Sequence, residues 1–234
     1  MGAITDNARW IAGLLQATDS FYPTGAYAHS FGLEGLVHEG AVRDLDTLQV
    51  FLLEQVLPVL AKTDLPVAAR AWTAAGEPPD WEMLHRLCEL GTALRGAREP
   101  RAATETIGRQ RSELAARLHG GLAAEFVRRA AGGGWPRPVC VAAGVEGRAL
   151  GAPCDAVLCA LVYGTASGLV AAAVKLLRLG QNASHALLAE ALAEAPALIR
   201  PVRTVALEAI GACNPWWDIA AARHEHADFR LFIS

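Results

Sequence analysis

Between Asp155 and Lys175 the chain runs for 19 residues, Ala156 to Val174, without a single charge. A stretch that long and that apolar has two possible homes. One is the interior of a helical bundle, and the other is a bilayer, which asks for ~20 apolar residues. Its composition favours the bundle. Gly164, Thr165, Ser167 and Gly168 interrupt it, and the flanks are Asp155 and Lys175 with no one-sided basic loop. The sequence therefore predicts a buried helix. Gly164 and Gly168, four apart with Ser167 beside them, form a small-residue stripe. Such a stripe predicts a close helix crossing inside the bundle or, in the sharper form, a helix shared with a second copy at a dimer interface.

The rest of the chain supplies helices for that bundle. Trp10, Ile11, Leu14 and Leu15 recur at helical spacing behind Thr5 or Asp6. Phe31, Leu33, Leu36 and Val37 carry a second helix to Gly40, and Asp44 caps a third that Pro58 should kink or end. Asp64 opens a helix to Ala75, and Pro78-Pro79-Asp80 caps another from Trp81 to about Leu94. Residues 95–118 read as an amphipathic helix with a solvated face, and Gly120-Gly121 restarts the chain. Ala131 to Pro138 is the clearest loop, and helices follow at Val139–Leu150, Ser184–Ala195 and Ala197–Ile210. No run alternates apolar and polar residues long enough for a strand. The expectation is an all-α, single-domain bundle of about ten helices spanning residues 1–234.

A chain that is 53% hydrophobic with mean hydropathy +0.24 suits burial in an assembly. Its net charge of −3 argues against general nucleic-acid binding, and no membrane is expected. Five cysteines without a CxxC, and no signal peptide in the opening residues, read as reduced thiols of a cytoplasmic protein.

Motifs for chemistry are mostly missing. There is no GxxxxGK[ST], and neither Lys62 nor Lys175 follows a glycine, so P-loop nucleotide hydrolysis is excluded on spacing. GxSxG and HExxH are absent too. Two weaker constellations define an alternative, a helical metal-dependent or serine hydrolase. His224 and His226 lie at i, i+2, which on a helix points them to different faces where a chelate wants i+3 or i+4. His29 and Ser30, with Asp19 nearby, have the residue types of a triad, but adjacent positions do not face each other. Capping is the better reading there. No catalytic, cofactor or metal residue is assigned.

Two segments stand out for binding. In Leu14 to Glu34 the turn Tyr22-Pro23-Thr24-Gly25 is specified by the fixed φ of proline and the positive φ open to glycine, and Tyr22 and Tyr27 bracket it. The end Arg223 to Ser234 is too rich in Phe, Leu and Ile to fray as a polar tail would. Candidate partner-binding residues are Tyr27, Phe229, Arg230, Leu231, Phe232 and Ser234. Arg230, between two apolar neighbours, should meet carboxylates or carbonyls. The expectation is that turn and tail order each other into a platform, the bland alternative being that both merely close the core.

Four blocks resemble the urease accessory protein UreF family. They are Asp19 to Glu34, Arg98 to Arg111 with Ile107-Gly108-Arg109, the long helix into Lys175-Leu-Leu-Arg-Leu-Gly-Gln181, and the ending His224-Glu225 to Arg230-Leu231-Phe232-Ile233-Ser234. The resemblance covers essentially the whole chain. It implies a non-enzymatic, all-helical, homodimeric assembly factor. Such a factor binds the accessory protein UreD (also called UreH) and recruits the GTPase UreG for nickel insertion into apo-urease.

Overall fold

The structure is a computed structural model that describes residues 3–227 and 229–234. Among the described residues it is all helical, with no strand. The helices are α1 (Ala3–Thr18), α2 (Leu33–His38), α3 (Leu45–Val50), α4 (Leu57–Lys62), α5 (Asp64–Ala74), α6 (Trp81–Ala93) and α7 (Arg98–His119). After them come α8 (Gly121–Gly133), α9 (Val139–Ala149), α10 (Cys154–Leu176), α11 (Gln181–Ala193), α12 (Ala195–Ile199) and α13 (Pro215–His224). A π-helical segment, Phe51–Val56, joins α3 to α4 without a break. Pro58 follows that segment directly, as the second residue of α4.

Several starts are set locally. Asp44 accepts from the Thr47 N–H while the Thr47 hydroxyl accepts from the Asp44 N–H, a reciprocal cap on α3. Asp80 caps α6 through the Met83 N–H. Asn214 caps α13 through the Trp217 N–H, with Pro215 at the first helical position.

The bundle turns on α9, not on α10 with its uncharged run Ala156 to Val174. Residues Cys140 to Gly147 are all buried, and α9 lies against α5, α6, α7, α8 and α10. Glycines make these approaches possible. A Cβ on Gly144 would stand 2.6 Å from the Ala68 carbonyl oxygen of α5, and one on Gly147 would stand 2.2 Å from Val157 Cγ2 of α10. On α7, a Cβ at Gly108 would fall 2.0 Å from the Arg137 carbonyl oxygen just ahead of α9. Around this axis one apolar core gathers side chains such as Leu33, Phe51, Leu84, Phe126 and Leu158.

α10 has the length and apolar character to cross a membrane, yet half of its most apolar window is buried in the protein. The crossing inside the bundle expected at Gly164 and Gly168 is not there among the described residues: no neighbouring atom of theirs lies within 4 Å of a Cβ placed on either. Both face outward with Cys159, Tyr163 and Ala171. A further close approach of this kind is at α2, where α13 lies across Gly32 and Gly35. A Cβ on Gly35 would stand 2.5 Å from the Ala220 carbonyl oxygen.

The helix expected over Ala197–Ile210 ends early. α12 stops at Ile199, Pro201 follows, and the chain continues as short 3₁₀ turns at Val202–Thr204 and Leu207–Ala209. Proline cannot donate to the preceding turn, which accounts for the stop. α13 is a helix that hydrophobic periodicity did not predict.

Candidate functional site

The turn after α1 is anchored at its first aromatic. Tyr22 is buried, and its hydroxyl donates to Glu146 Oε1 at 2.5 Å, while Arg111 Nε donates to Glu146 Oε2 at 2.6 Å. Glu146 is only 1% exposed, so this carboxylate is kept in the core by two partners rather than by water. Burial, followed by the adjacent Glu146 charge, pushes the Tyr22 phenol well above its ordinary value. Gly25 takes φ +76°, the left-handed conformation expected of it, and the chain passes through a short 3₁₀ turn, Ala26–Ala28.

Next comes the point where the two ends of the chain meet. Phe31 holds φ +51°, unusual for a residue with a Cβ, and Gly32 follows at +88°. The N–H groups of Ser30 and Phe31 both donate to the main-chain oxygen of Ser234, at 2.5 and 3.1 Å. The Ser30 hydroxyl adds a third bond to the same oxygen at 2.8 Å, and His29 Nδ1 lies 2.8 Å from Ser234 Oγ. Ile233 N–H donates to the Ala28 carbonyl at 2.9 Å. A buried, positive-φ phenylalanine neighbourhood is thus matched by a specific polar partner, which is what keeps such a conformation in place.

One turn further, Glu34 of α2 is 2% exposed and accepts three bonds. The Leu231 N–H reaches Oε1 at 2.7 Å; the Phe232 N–H and His224 Nε2 reach Oε2 at 3.0 and 2.8 Å. The other imidazole nitrogen, His224 Nδ1, lies 2.8 Å from Glu99 Oε2, whose second oxygen accepts from Arg230 Nη1 at 2.7 Å. Burial pushes the Glu34 carboxyl up, but the Leu231 N–H, His224 and the Phe232 N–H together outweigh it. The net effect holds the group below its ordinary value. α13 brings His224 here because Gly32 and Gly35 let it approach and because Trp217 Nε1 donates to the Phe31 carbonyl at 2.6 Å.

This arrangement disposes of both hydrolase constellations. His224 is buried with both nitrogens facing carboxylates, His226 is exposed, and among the described residues no group of three His, Cys, Asp or Glu is placed to hold a metal. Ser30 donates to the chain end rather than to His29. The Ser30 hydroxyl accepts from the Glu34 N–H at the start of α2, the capping that spacing suggested, whereas His29 meets the Ser234 hydroxyl rather than a backbone group.

The six residues expected to bind partners divide into two sets. Phe232 and Ser234 are buried inward, 5% and 2% exposed. Phe229 and Leu231 face solvent at 87% and 63%, with Ile233 at 64%, so the tail alternates outward apolar and inward anchoring residues. Arg230 meets a carboxylate as expected but stays partly exposed. Tyr27 is 75% exposed, with the Lys175 ammonium 6.0 Å from its ring centre and 5.2 Å from that of Phe232. Asp228 lies outside the described residues.

Sequence reasoning missed Glu34 and Glu146 as buried hubs, and the half-buried Glu99 that faces His224. For Glu34 and Glu99 no local signal marks them; for Glu146 the signal was its place within the apolar run Val139 to Gly147. α13 was legible in Asn214-Pro215, a cap followed by a first-turn proline.

At this end of the molecule Glu34, Glu99 and His224 hold chain segments to one another, and Tyr27, Phe229, Leu231 and Ile233 face outward. The fold and site define a helical scaffold for protein association. The UreF family model matches residues 42–192. The chain is 32% identical over 231 residues to a urease accessory protein UreF of Paenarthrobacter aurescens (strain TC1), covering 97% of this chain and 100% of the relative. It is 34% identical over 233 residues to that of Kocuria rhizophila, covering 96% and 97%, and 33% identical over 215 residues to that of Rhodopseudomonas palustris (strain BisA53), covering 91% and 88%. The chain belongs to the UreF family of urease accessory proteins, and it is an accessory protein rather than an enzyme.

Proposed function

We propose that the turn and the tail together form the platform through which this chain, one domain over residues 1–234, takes part in nickel insertion into urease. On this reading it binds the UreD (UreH) counterpart and recruits the GTPase UreG to apo-urease in the cytoplasm. The observation that carries the reading is the alternation in the tail. Phe232 and Ser234 are anchored inward while Phe229, Leu231 and Ile233 project over a frame of buried ion pairs, beside exposed Tyr27. Large apolar side chains fixed outward on a rigid frame lose little entropy on binding, and aromatic and arginine residues dominate interface energetics.

The outward, uncharged face of α10, with Tyr163, Gly164 and Gly168, supports a homodimer, since nothing in the described chain covers it. Co-purification of the chain with its UreD and UreG counterparts tests the reading. Phe229→Ala with Leu231→Ala should leave the isolated chain folded and dimeric yet abolish UreG recruitment and leave urease nickel-free. Full urease activation by that variant would overturn the platform.

A further inference from the structure

Two tryptophans stand side by side at the start of α13, and the fold uses one of them. Trp217 packs edge-on against Phe51, ring centres 5.4 Å apart, and donates its indole N–H to the Phe31 carbonyl. Trp216 makes no hydrogen bond or ring contact among the described residues and is 63% exposed. It walls a hollow of about 390 Å³ between α3 and α13. Leu36, Val42 and Phe51, all buried, line the hollow with exposed Val50. Asp46 is the one charged residue of that lining. It is exposed and has no hydrogen bond or ion pair among the described residues. Arg43, three residues earlier, pairs with Asp44 instead. The polar neighbours are engaged too, Thr47 with Asp44 and Gln55 with Asn214.

An open indole, an aliphatic wall and one uncompensated carboxylate are what a single arginine side chain can satisfy together. Its methylene stem packs on apolar groups while its head stays polar. Its flat guanidinium stacks on an aromatic face, best on tryptophan, and pairs with a carboxylate. A lysine brings a point charge without the flat stack. Asp46 lies in the first turn of α3, where a carboxylate also suits the helix dipole. The dipole accounts for an acid at that position. It does not account for a tryptophan left open on the same hollow.

We infer that this hollow is a docking point for an arginine side chain presented by a partner protein. Tryptophan and arginine are the residue types that most often anchor an interface, and here one waits for the other. A lipid surface is the wrong occupant, because the single charge of the hollow is negative and would meet anionic headgroups. The site stands apart from the turn and tail. Trp216 precedes His224 by eight residues of α13, roughly 12 Å along the helix.

The arginine site is read on the isotope-labelled full chain through the Trp216 indole N–H resonance, assigned by its absence in Trp216→Phe. An acetyl-Ala-Arg-Ala-amide peptide should shift it saturably at millimolar concentration. The same peptide with citrulline, the neutral counterpart of arginine, should bind about tenfold more weakly. Asp46→Asn should bring the two peptides to equal affinity. Equal shifts from both peptides in the parent, or no shift from either, would overturn the site. Docking is read in association with the purified UreD and UreG counterparts and with apo-urease. Trp216→Ala should weaken one of these associations about tenfold and Asp46→Asn several-fold, and the arginine peptide should compete. Parent affinity for every component in both variants would overturn docking at this hollow while leaving the tail platform intact. A parent that associates with none of them would overturn the proposed function, and the hollow would then be decided by the peptides alone. Dimerisation lost in Trp216→Ala would make the occupant a second copy and overturn the partner.

Discussion

His224 Nε2 lies 2.8 Å from Glu34 Oε2, joining the end of α13 to α2 across 190 positions of sequence. The contact matters because each partner also serves the tail. Glu34 accepts the Leu231 and Phe232 N–H groups, and His224 shares Glu99 with Arg230. Removing one member leaves a buried polar group short of a partner, which costs more than the bond itself contributes.

Acid should release the tail. The Glu34 carboxyl is held below its ordinary value of 4.5, so its contribution is complete above that pH and is lost as pH falls through the lower folded-state value. Amide exchange at Leu231 and Phe232 should accelerate below pH 4.5 while core helices stay protected. Glu34→Gln should expose the same amides at neutral pH, at a cost of about 2–3 kcal/mol. Unchanged exchange in that variant would show that Glu34 does not hold the tail.

Tyr22→Phe should destabilise the chain by about 1–3 kcal/mol in denaturant titration, because Glu146 loses a buried donor. With the phenol raised well above its ordinary 10.0, Tyr22 should also be missing from the phenolate absorbance that develops near pH 10–11 in the folded protein. A titration showing all three tyrosines ionising together would contradict the buried pair.

Glycines should sort by position. Gly35→Ala and Gly108→Ala press a Cβ into backbone carbonyls at 2.5 and 2.0 Å and should lower the melting temperature sharply. Gly164→Ala has open space and should raise monomer stability by about 0.5–1 kcal/mol through helix propensity. Bulk at that position, as in Gly164→Leu, should act on mass in sedimentation rather than on melting.

The two phenylalanines of the tail should behave oppositely. Phe232→Ala empties a buried site and should cost about 3–5 kcal/mol locally. Phe229→Ala, at 87% exposure, should leave unfolding unchanged and weaken partner capture alone. Equal melting temperatures for the two variants would mean that the tail does not pack as described.

A chelator should leave the melting curve of the chain unaltered. His224→Ala should lower stability by taking one partner each from Glu34 and Glu99, without changing the nickel content of the purified protein.

Local chemistry alone decided much of this molecule. Helical spacing, the caps at Asp44, Asp80 and Asn214, and the positive φ of Gly25 each depend on residues within a turn of one another, so they can be seen in the sequence. The tail's apolar residues likewise marked it as a segment that would not fray, and Phe232 and Ser234 are packed inward. Which glycines are crossings, and which acids are buried, could not be seen that way. Gly164–Gly168 and Gly32–Gly35 are both pairs of small residues a helical turn apart, and only the packing of α13 made the second a contact and left the first open. Glu34 and Glu99 resemble any solvated helix acid until His224 and Arg230 arrive from more than 120 positions away. Burial and pairing are properties of the assembled bundle, because they depend on which surfaces meet, and a local pattern states only that a surface is available.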